Sequence, residues 1–546
     1  MGLPNPFPRT QKICKSANPA FILFGSRFFA DQTILELLAE FLSVTFSDKW
    51  IGSKGPITDP LPSLSELRGW ASADEEQLHY TPPIKLNLKL FALLCASPLD
   101  SRHRVHEKQY SNLITNFISR VRSTTEKPEE VREWIEDFLM GFQGAGFDRT
   151  WCAQTFYPIS TNLLTQETIW NHTVAKSKPI LDWQDSINEF KTYYTVSRHR
   201  FLARGGELLY LQLCNLFSNP ERDIESLAKK LELSNDELNY GTLHERLLTG
   251  LNKLKTMQFA SLDKLVDFIE NLDPETKWKV NRKKSKLTCE WCPEESWPEA
   301  YLFAVETSRI LGAILDPVER LELLQIGCVL QVLRSLCAQS LRYADLIPRQ
   351  GEGSALGYAW IFTPLDGCTR QQRLASCQNV QIIFRLIQRA LNNKNILSIV
   401  NENRENRTMA AVLREAETRY GHKYFNLLGK RLGIIYPWKG AEPRFILTDK
   451  LLRYLVLSVI PPGESCEYQD FKRKIYMHYG IAVEGEELLD AVSWSGLPVN
   501  SSVQPDNGSW FTQMLRAGGF LVELSDGCSI VQNPFSLQDS KGVVTA

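Results

Sequence analysis

The sequence has almost no net charge. Its 546 residues contain 62 Lys and Arg residues against 63 Asp and Glu residues, a balance of −1 at pH 7. This balance excludes a global field that would draw the chain to nucleic acid or to an anionic membrane, so any such binding requires a local patch. Apolar runs are also short, since the best stretch, from Leu451 to Ile460, is interrupted by Arg453 and falls well below the ~18 residues of a membrane span. We therefore expect no membrane association.

Motifs that would identify an enzyme are also missing. The chain contains neither a GxxxxGK[ST] phosphate loop nor a GxSxG nucleophile elbow. The pair Cys289 and Cys292 forms a lone CxxC, whereas a structural zinc needs four ligands. We therefore assign no catalytic residue, expect neither a metal nor a cofactor, and favour a protein that is not an enzyme.

The chain is rich in amphipathic helical patterns. Hydrophobic residues make up 43% and charged residues 23% of the chain, which is typical of a globular protein, and the length suits several domains. The twelve cysteines are scattered, and prolines interrupt the first fifteen residues, where a secretory signal needs a continuous apolar stretch. The predicted fold class is mainly α and multidomain, with a cytoplasmic location.

Four units are predicted along the chain. Residues 1–150 form a helical N-terminal domain with a long Pro- and Gly-rich loop from Gly52 to Pro83. Residues 151–400 form a central helical domain containing a hairpin of helices joined at Asp316-Pro317. The polar segment 401–407 is typical of a linker, and it is equally typical of a frayed helix end. Residues 401–462 and 463–546 follow as two C-terminal modules.

Both C-terminal modules have the order of winged helices. Helical periodicity from Met409 to Leu432 precedes two β-rich runs around a turn with Pro437 and Gly440, and the same order recurs before the turn at Asp526-Gly527. Such folds place one helix in the DNA major groove, with Lys and Arg on the phosphates. The sequence therefore predicts tandem winged-helix-like modules.

Basic residues favour the first module as a DNA-binding element. Cations exceed acids between Arg404 and Arg431, whereas acids exceed cations in the second module. The predicted phosphate contacts are Arg419, Lys423, Lys430, Arg431, Lys439 and Arg444. The alternative is that both modules dock onto proteins, as such folds often do.

Two further patterns leave alternatives open. The run from Lys277 to Lys286 has six cations around Trp278, and Lys283 and Lys284 within it are candidate nucleic-acid contacts, although a solvated loop has the same composition. Glu189-Phe190-Lys191 matches the ExK motif of metal-dependent nucleases, in which carboxylates hold magnesium. A divergent nuclease with a dispersed active site is therefore the second functional hypothesis.

Two segments carry a resemblance. The blocks from Phe201 to Tyr210 and from Leu428 to Leu447 resemble parts of large uncharacterised bacterial proteins encoded in antiviral-defence gene clusters. This resemblance implies a non-catalytic subunit that works beside an ATPase, helicase or nuclease. With the winged-helix pattern, it predicts a DNA-associated adaptor or scaffold in an antiphage complex, with double-stranded DNA and protein subunits as partners.

Overall fold

The structure is a computed structural model that is mainly helical, which confirms the coarse fold prediction. It describes residues 2–25, 28, 30, 32–52, 55–72, 78–81, 114–122, 126–140, 205–256, 260–272, 287–344, 351–498, 510–524 and 528–536.

Helices and strands are labelled in chain order within these residues. The helices are α1 Pro19–Phe24, α2 Ile34–Thr45, α3 Leu64–Ser72, α4 Pro128–Met140, α5 Gly205–Ser218, α6 Ile224–Leu231, α7 Asn235–Leu238, α8 Tyr240–Lys255, α9 Ala260–Glu270, α10 Trp297–Gly312, α11 Pro317–Tyr343, α12 Arg370–Leu391, α13 Lys394–Asn403, α14 Met409–Arg419, α15 His422–Leu432, α16 Asp449–Val459, α17 Tyr468–Tyr479, α18 Gly485–Trp494 and α19 Trp510–Ala517. The strands are β1 Pro6–Phe7, β2 Asp48–Ile51, β3 Leu78–Thr81, β4 Leu287–Thr288, β5 Cys292–Pro293, β6 Trp360–Thr363, β7 Ile435–Tyr436, β8 Arg444–Ile446, β9 Ser465–Glu467, β10 Ile481–Ala482, β11 Leu521–Glu523 and β12 Ser529–Gln532.

The central hairpin of helices is formed by α10 and α11, which meet at the predicted turn. The Asp316 carboxylate accepts a hydrogen bond of 2.8 Å from the Val318 backbone N–H, and Pro317 occupies the first turn of α11. Helix α5, whose residues are all buried, packs against α2, α3 and α10. A helix that is apolar nearly all round needs such neighbours on every side.

Helix α11 is also long and apolar enough to cross a membrane by length and composition. Within the apolar window of Pro317–Tyr343, 78% is buried inside the protein, as in the core helix of a globular fold. The helix itself is predicted from the sequence, but the expectation that every apolar stretch is too short to span a membrane does not hold for it.

Arginine and glutamate side chains are paired inside the bundle. The Arg334 guanidinium donates to both carboxylate oxygens of Glu306, at 2.7 and 2.9 Å, and both side chains are almost fully buried. His478 lies 3.1 Å from the same carboxylate, and burial lowers the pKa of its imidazole. These contacts join α17 of the C-terminal region to the central hairpin.

The predicted long loop from Gly52 to Pro83 is only partly a loop. Residues Leu64–Ser72 form α3, and β3 pairs antiparallel with both β2 and β4. The prolines that prompted the loop prediction lie outside these two elements. The prolines therefore interrupt helices and strands only at their own positions.

The C-terminal strands form two small sheets, and both predicted hairpins are present. In the first sheet β7 pairs antiparallel with β8, β8 pairs parallel with β6, and β10 completes the order β10-β6-β8-β7. In the second sheet β11 and β12 form the hairpin, and β9 pairs with β12. Because β6 precedes residue 401 and β10 follows residue 462, the first sheet crosses both predicted boundaries.

The boundary near residue 400 falls within a helix. Helix α13 continues to Asn403, and α14 begins at Met409 after a short turn. Of the two interpretations of 401–407, a helix end followed by a turn describes the segment. Whether the two modules are winged helices remains a prediction.

Candidate nucleic-acid interface

Positive charge is concentrated between Arg370 and Lys439. This segment contains thirteen Lys and Arg residues and only four acidic residues, Glu402, Glu405, Glu415 and Glu417, although the whole chain has a net charge of −1. It comprises α12 to α15 and the first part of the hairpin formed by β7 and β8. Because the chain as a whole is nearly neutral, phosphate binding needs a local excess of positive charge, and this segment provides one.

Helix α15 is held by its apolar face and leaves a cationic face outward. Tyr424, Phe425 and Leu428 are buried, at the spacing of one helix face. The helix ends at Gly433, whose φ of +83° lies in the left-handed region that closes helices and favours glycine. The chain then turns directly into β7, so the hairpin stands beside the last turn of α15.

Four of the predicted phosphate contacts lie at the surface of the segment from Arg370 to Lys439. Lys423 and Lys439 are exposed, and so is Arg419, whose backbone carbonyl accepts a hydrogen bond of 2.8 Å from the Ala30 N–H. The half-buried Lys430 donates from Nζ to the Trp438 carbonyl at 3.0 Å. Lys430 therefore ties α15 to the hairpin while it adds charge to their junction.

The position of Arg444 opposes its predicted role as a phosphate contact. Its side chain is buried, with 5% exposure, and its guanidinium donates to Thr363 Oγ1 at 2.9 Å, to the Pro364 carbonyl at 3.0 Å and to the Leu365 carbonyl at 2.8 Å. A guanidinium used in this way holds the loop after β6 and cannot reach a phosphate without unfolding that loop.

Arg431 also has a structural task. Its half-buried guanidinium donates to the backbone carbonyls of Ala30, at 3.3 Å, and Gln32. These contacts attach α15 to the N-terminal part of the chain, so we remove Arg431 from the phosphate set. A charge reversal there would disturb packing as well as charge.

Two other groups of predicted residues lie outside the residues that the structure describes. They are Lys283 and Lys284 of the basic run, and Glu189 with Lys191 of the nuclease pattern. In the described part of the chain, no group of three or more His, Cys, Asp or Glu side chains is placed to hold a metal ion. Cys289 and Cys292 are both buried thiols.

Cations of the second module are mostly paired. Lys472 is buried and lies 3.3 Å from Glu484, Arg473 contacts Glu232, and Arg516 contacts Glu523. Paired cations contribute little net field to a ligand. This agrees with the sequence-based preference for the first module as the DNA-binding element.

Helix α12 contributes a cationic face that the sequence analysis missed. It contains no Asp or Glu, and Arg370, Arg373, Arg385 and Arg389 are exposed along it. The signal was readable, since an acid-free helix of 22 residues with four Arg is unusual for a solvated face, where both signs normally mix. The charge excess noted in the sequence begins at Arg404, after this helix.

Contacts between α12 and its neighbours place this face beside the hairpin, α14 and α15. The Cys377 thiol lies 3.4 Å from the Glu442 carbonyl, the Phe384 ring lies 5.7 Å from the His422 ring, and Gln388 Nε2 donates to Glu417 at 2.9 Å. Burial lowers the pKa of His422, which keeps its imidazole neutral at pH 7. The positive charge of this junction thus comes from Lys and Arg alone.

Two aromatic side chains at the hairpin tip were also missed. Tyr436 is 45% exposed and Trp438 is 53% exposed, whereas Phe445 on the partner strand is fully buried. The sequence pattern indicates a β-rich run that ends at Tyr436 and a turn from Pro437, and it gives neither ring a role. The signal was an aromatic residue on each side of Pro437, next to Lys439.

Comparison with protein-family models, with curated proteins and with solved structures finds no match for this chain. The resemblance to defence-cluster proteins therefore remains an expectation from the sequence.

Proposed function

We propose that this protein is a non-catalytic adaptor or scaffold subunit that binds double-stranded DNA through the exposed cations of α12, α14, α15 and the β7–β8 hairpin, arranged as a winged helix. We call this set of cations the basic surface: Arg370, Arg373, Arg385, Arg389, Arg414, Arg419, Lys423, Lys430 and Lys439. A bacterial antiphage complex with an ATPase, helicase or nuclease subunit is the proposed setting, and it rests on the resemblance of the two sequence blocks.

The observation that carries this proposal is the excess of thirteen cations over four acids from Arg370 to Lys439. Eight of the nine cations on the basic surface are exposed, Lys430 is half-buried, and four elements carry them. Lys and Arg on a helix and an adjoining hairpin suit phosphates on both sides of a groove. The acidic second module would instead be repelled by DNA and is suited to a protein contact.

The test is the salt dependence of binding to labelled duplex DNA. Lys423 and Lys439 are exposed, so reversing both to Glu changes charge with little effect on packing. Each phosphate contact releases condensed counterions, and the loss of two should flatten the log–log salt slope by about two units. Fluorescence anisotropy titrations at several salt concentrations measure both slopes.

A matched control makes the same charge change elsewhere. Lys229 and Lys230 are exposed at the end of α6, outside the basic surface, and their reversal to Glu should leave the salt slope unchanged. Equal slopes for the wild type and the Lys423→Glu/Lys439→Glu variant would contradict the proposal. The loss of a partner subunit with unchanged DNA affinity would show that the surface is a protein dock.

A further inference from the structure

The tip of the β7–β8 hairpin presents two aromatic rings to solvent amid cations. Tyr436 and Trp438 are exposed, while Tyr424 and Phe425 of the adjoining helix are fully buried. The local core thus accommodates large rings, and these two lie outside it. Exposed aromatics of this size within a charged surface are typical of a binding site.

Tyr436 is supported from one side. The Arg444 guanidinium lies 5.5 Å from the centre of its ring and is itself fixed by the oxygens of Thr363, Pro364 and Leu365. A cation held against an aromatic face stabilises the ring in place. The buried Arg444 therefore has a task at this site, because it supports the ring that a ligand would contact.

Trp438 is fixed through its backbone. Its carbonyl accepts a hydrogen bond of 3.0 Å from Lys430 Nζ, which connects the hairpin tip to the last turn of α15. Pro437, between the two aromatic residues, restricts the backbone further. Little conformational entropy is lost when a ligand binds to a tip that is already ordered.

The surrounding charge selects the ligand. Lys423, Lys430 and Lys439 lie on α15 and the hairpin, and Glu442 is the single acidic residue from Gly433 to Leu447. Rings that stack on bases, flanked by cations that neutralise phosphates, are how proteins bind unpaired nucleotides. In a continuous duplex the faces of the bases are covered by their neighbours, so these rings would find no partner there.

We infer that Tyr436 and Trp438 form a stacking platform for unpaired bases, and that the preferred ligand is DNA in which a single-stranded segment adjoins a duplex. The inference rests on the proposed function, because the same cations hold the phosphates. It adds the form of DNA that the surface selects.

The test compares one duplex with the same duplex interrupted by a short single-stranded gap. The wild type should bind the gapped DNA about tenfold more tightly, the size expected for stacking of one base. Trp438→Ala and Tyr436→Ala should each lower this preference and together abolish it, with duplex affinity unchanged. Trp438→Phe should retain part of it, because a smaller ring still stacks.

Trp134→Ala is the control, since Trp134 on α4 is 58% exposed and its loss should leave the preference intact. Thermal melting verifies that each variant is folded. If the wild type binds both DNAs equally, or if the double aromatic variant keeps the preference, the platform is refuted while duplex binding stands. If neither DNA binds at low salt, the proposed function fails as well.

Discussion

At the scale of single residues, burial decides what each charge does. Arg334 and Glu306 are enclosed and bonded at two positions, whereas Lys450 and Glu322 form an exposed pair at 3.9 Å. Removal of one partner from an enclosed pair leaves a charge without compensation in a medium of low polarity, while water replaces the partner at the surface. Residues of the same type therefore contribute differently to the stability of the protein.

This contrast gives a stability prediction. Glu306→Ala should destabilise the protein by about 3–5 kcal/mol, because Arg334 stays buried without its carboxylate. Glu322→Ala should change stability by about 1 kcal/mol or less. Urea unfolding followed by circular dichroism measures both, and a similar effect of the two substitutions would contradict the assignment.

A double replacement tests the same pair from the other direction. Glu306→Leu combined with Arg334→Met removes both charges and restores apolar volume, so it should be less damaging than Glu306→Ala alone. A double variant at least as unstable as the single one would mean that the pair is needed for more than mutual neutralisation.

Residue type was readable from the sequence, but the environment of each residue was not. Lys423 and Lys439 are exposed as the phosphate prediction requires. Arg444 was assigned wrongly because β8 is an inner strand, between β7 and the distant β6, and all three of its residues are buried. Arg431 faces carbonyls about 400 positions away in sequence, which no local pattern reveals.

At the scale of elements, the close crossing of α2 and α5 depends on glycine. A Cβ atom on Gly206 would lie 2.2 Å from the Phe41 nitrogen and 2.4 Å from the Leu37 carbonyl oxygen, both backbone atoms of α2. Backbone atoms within helices cannot move aside singly. Any side chain at position 206 therefore pushes the two helices apart.

Gly206→Ala should accordingly lower stability by about 3 kcal/mol or more, as severe overpacking does. The control is Gly69→Ala in α3, where nothing lies within 4 Å of the added Cβ. There alanine should raise stability by up to about 1 kcal/mol, because it favours the helix. Thermal unfolding of both variants provides the measurement, and a harmless Gly206→Ala would refute the close crossing.

Elements were predictable where their pattern is local. Helix caps, turn residues and hydrophobic periodicity predict the central hairpin at Asp316-Pro317 and both β-hairpins. Strands β6 and β10 have no such signal, because their pairing partners lie at least 80 residues away in sequence. The sheet to which β7 and β8 belong therefore could not be anticipated.

At the scale of the whole molecule, the predicted units are joined by more than connecting chain. One hydrophobic cluster extends from Phe7 to Val531, and the sheet β10-β6-β8-β7 takes strands from three predicted units. The elements that carry the basic surface consequently pack against the hydrophobic core, and α12 contacts the β7–β8 hairpin. A ligand on this surface would meet several elements in fixed relation.

Amide hydrogen exchange with and without gapped duplex DNA tests the central claim most directly, because it locates the bound surface on the intact chain. The account predicts slower exchange on binding in α15, in the β7–β8 hairpin and in α12, and unchanged exchange in β11 and β12. Protection confined to Ser465–Glu467 and the β11–β12 hairpin, with none between Arg370 and Lys439, would contradict it.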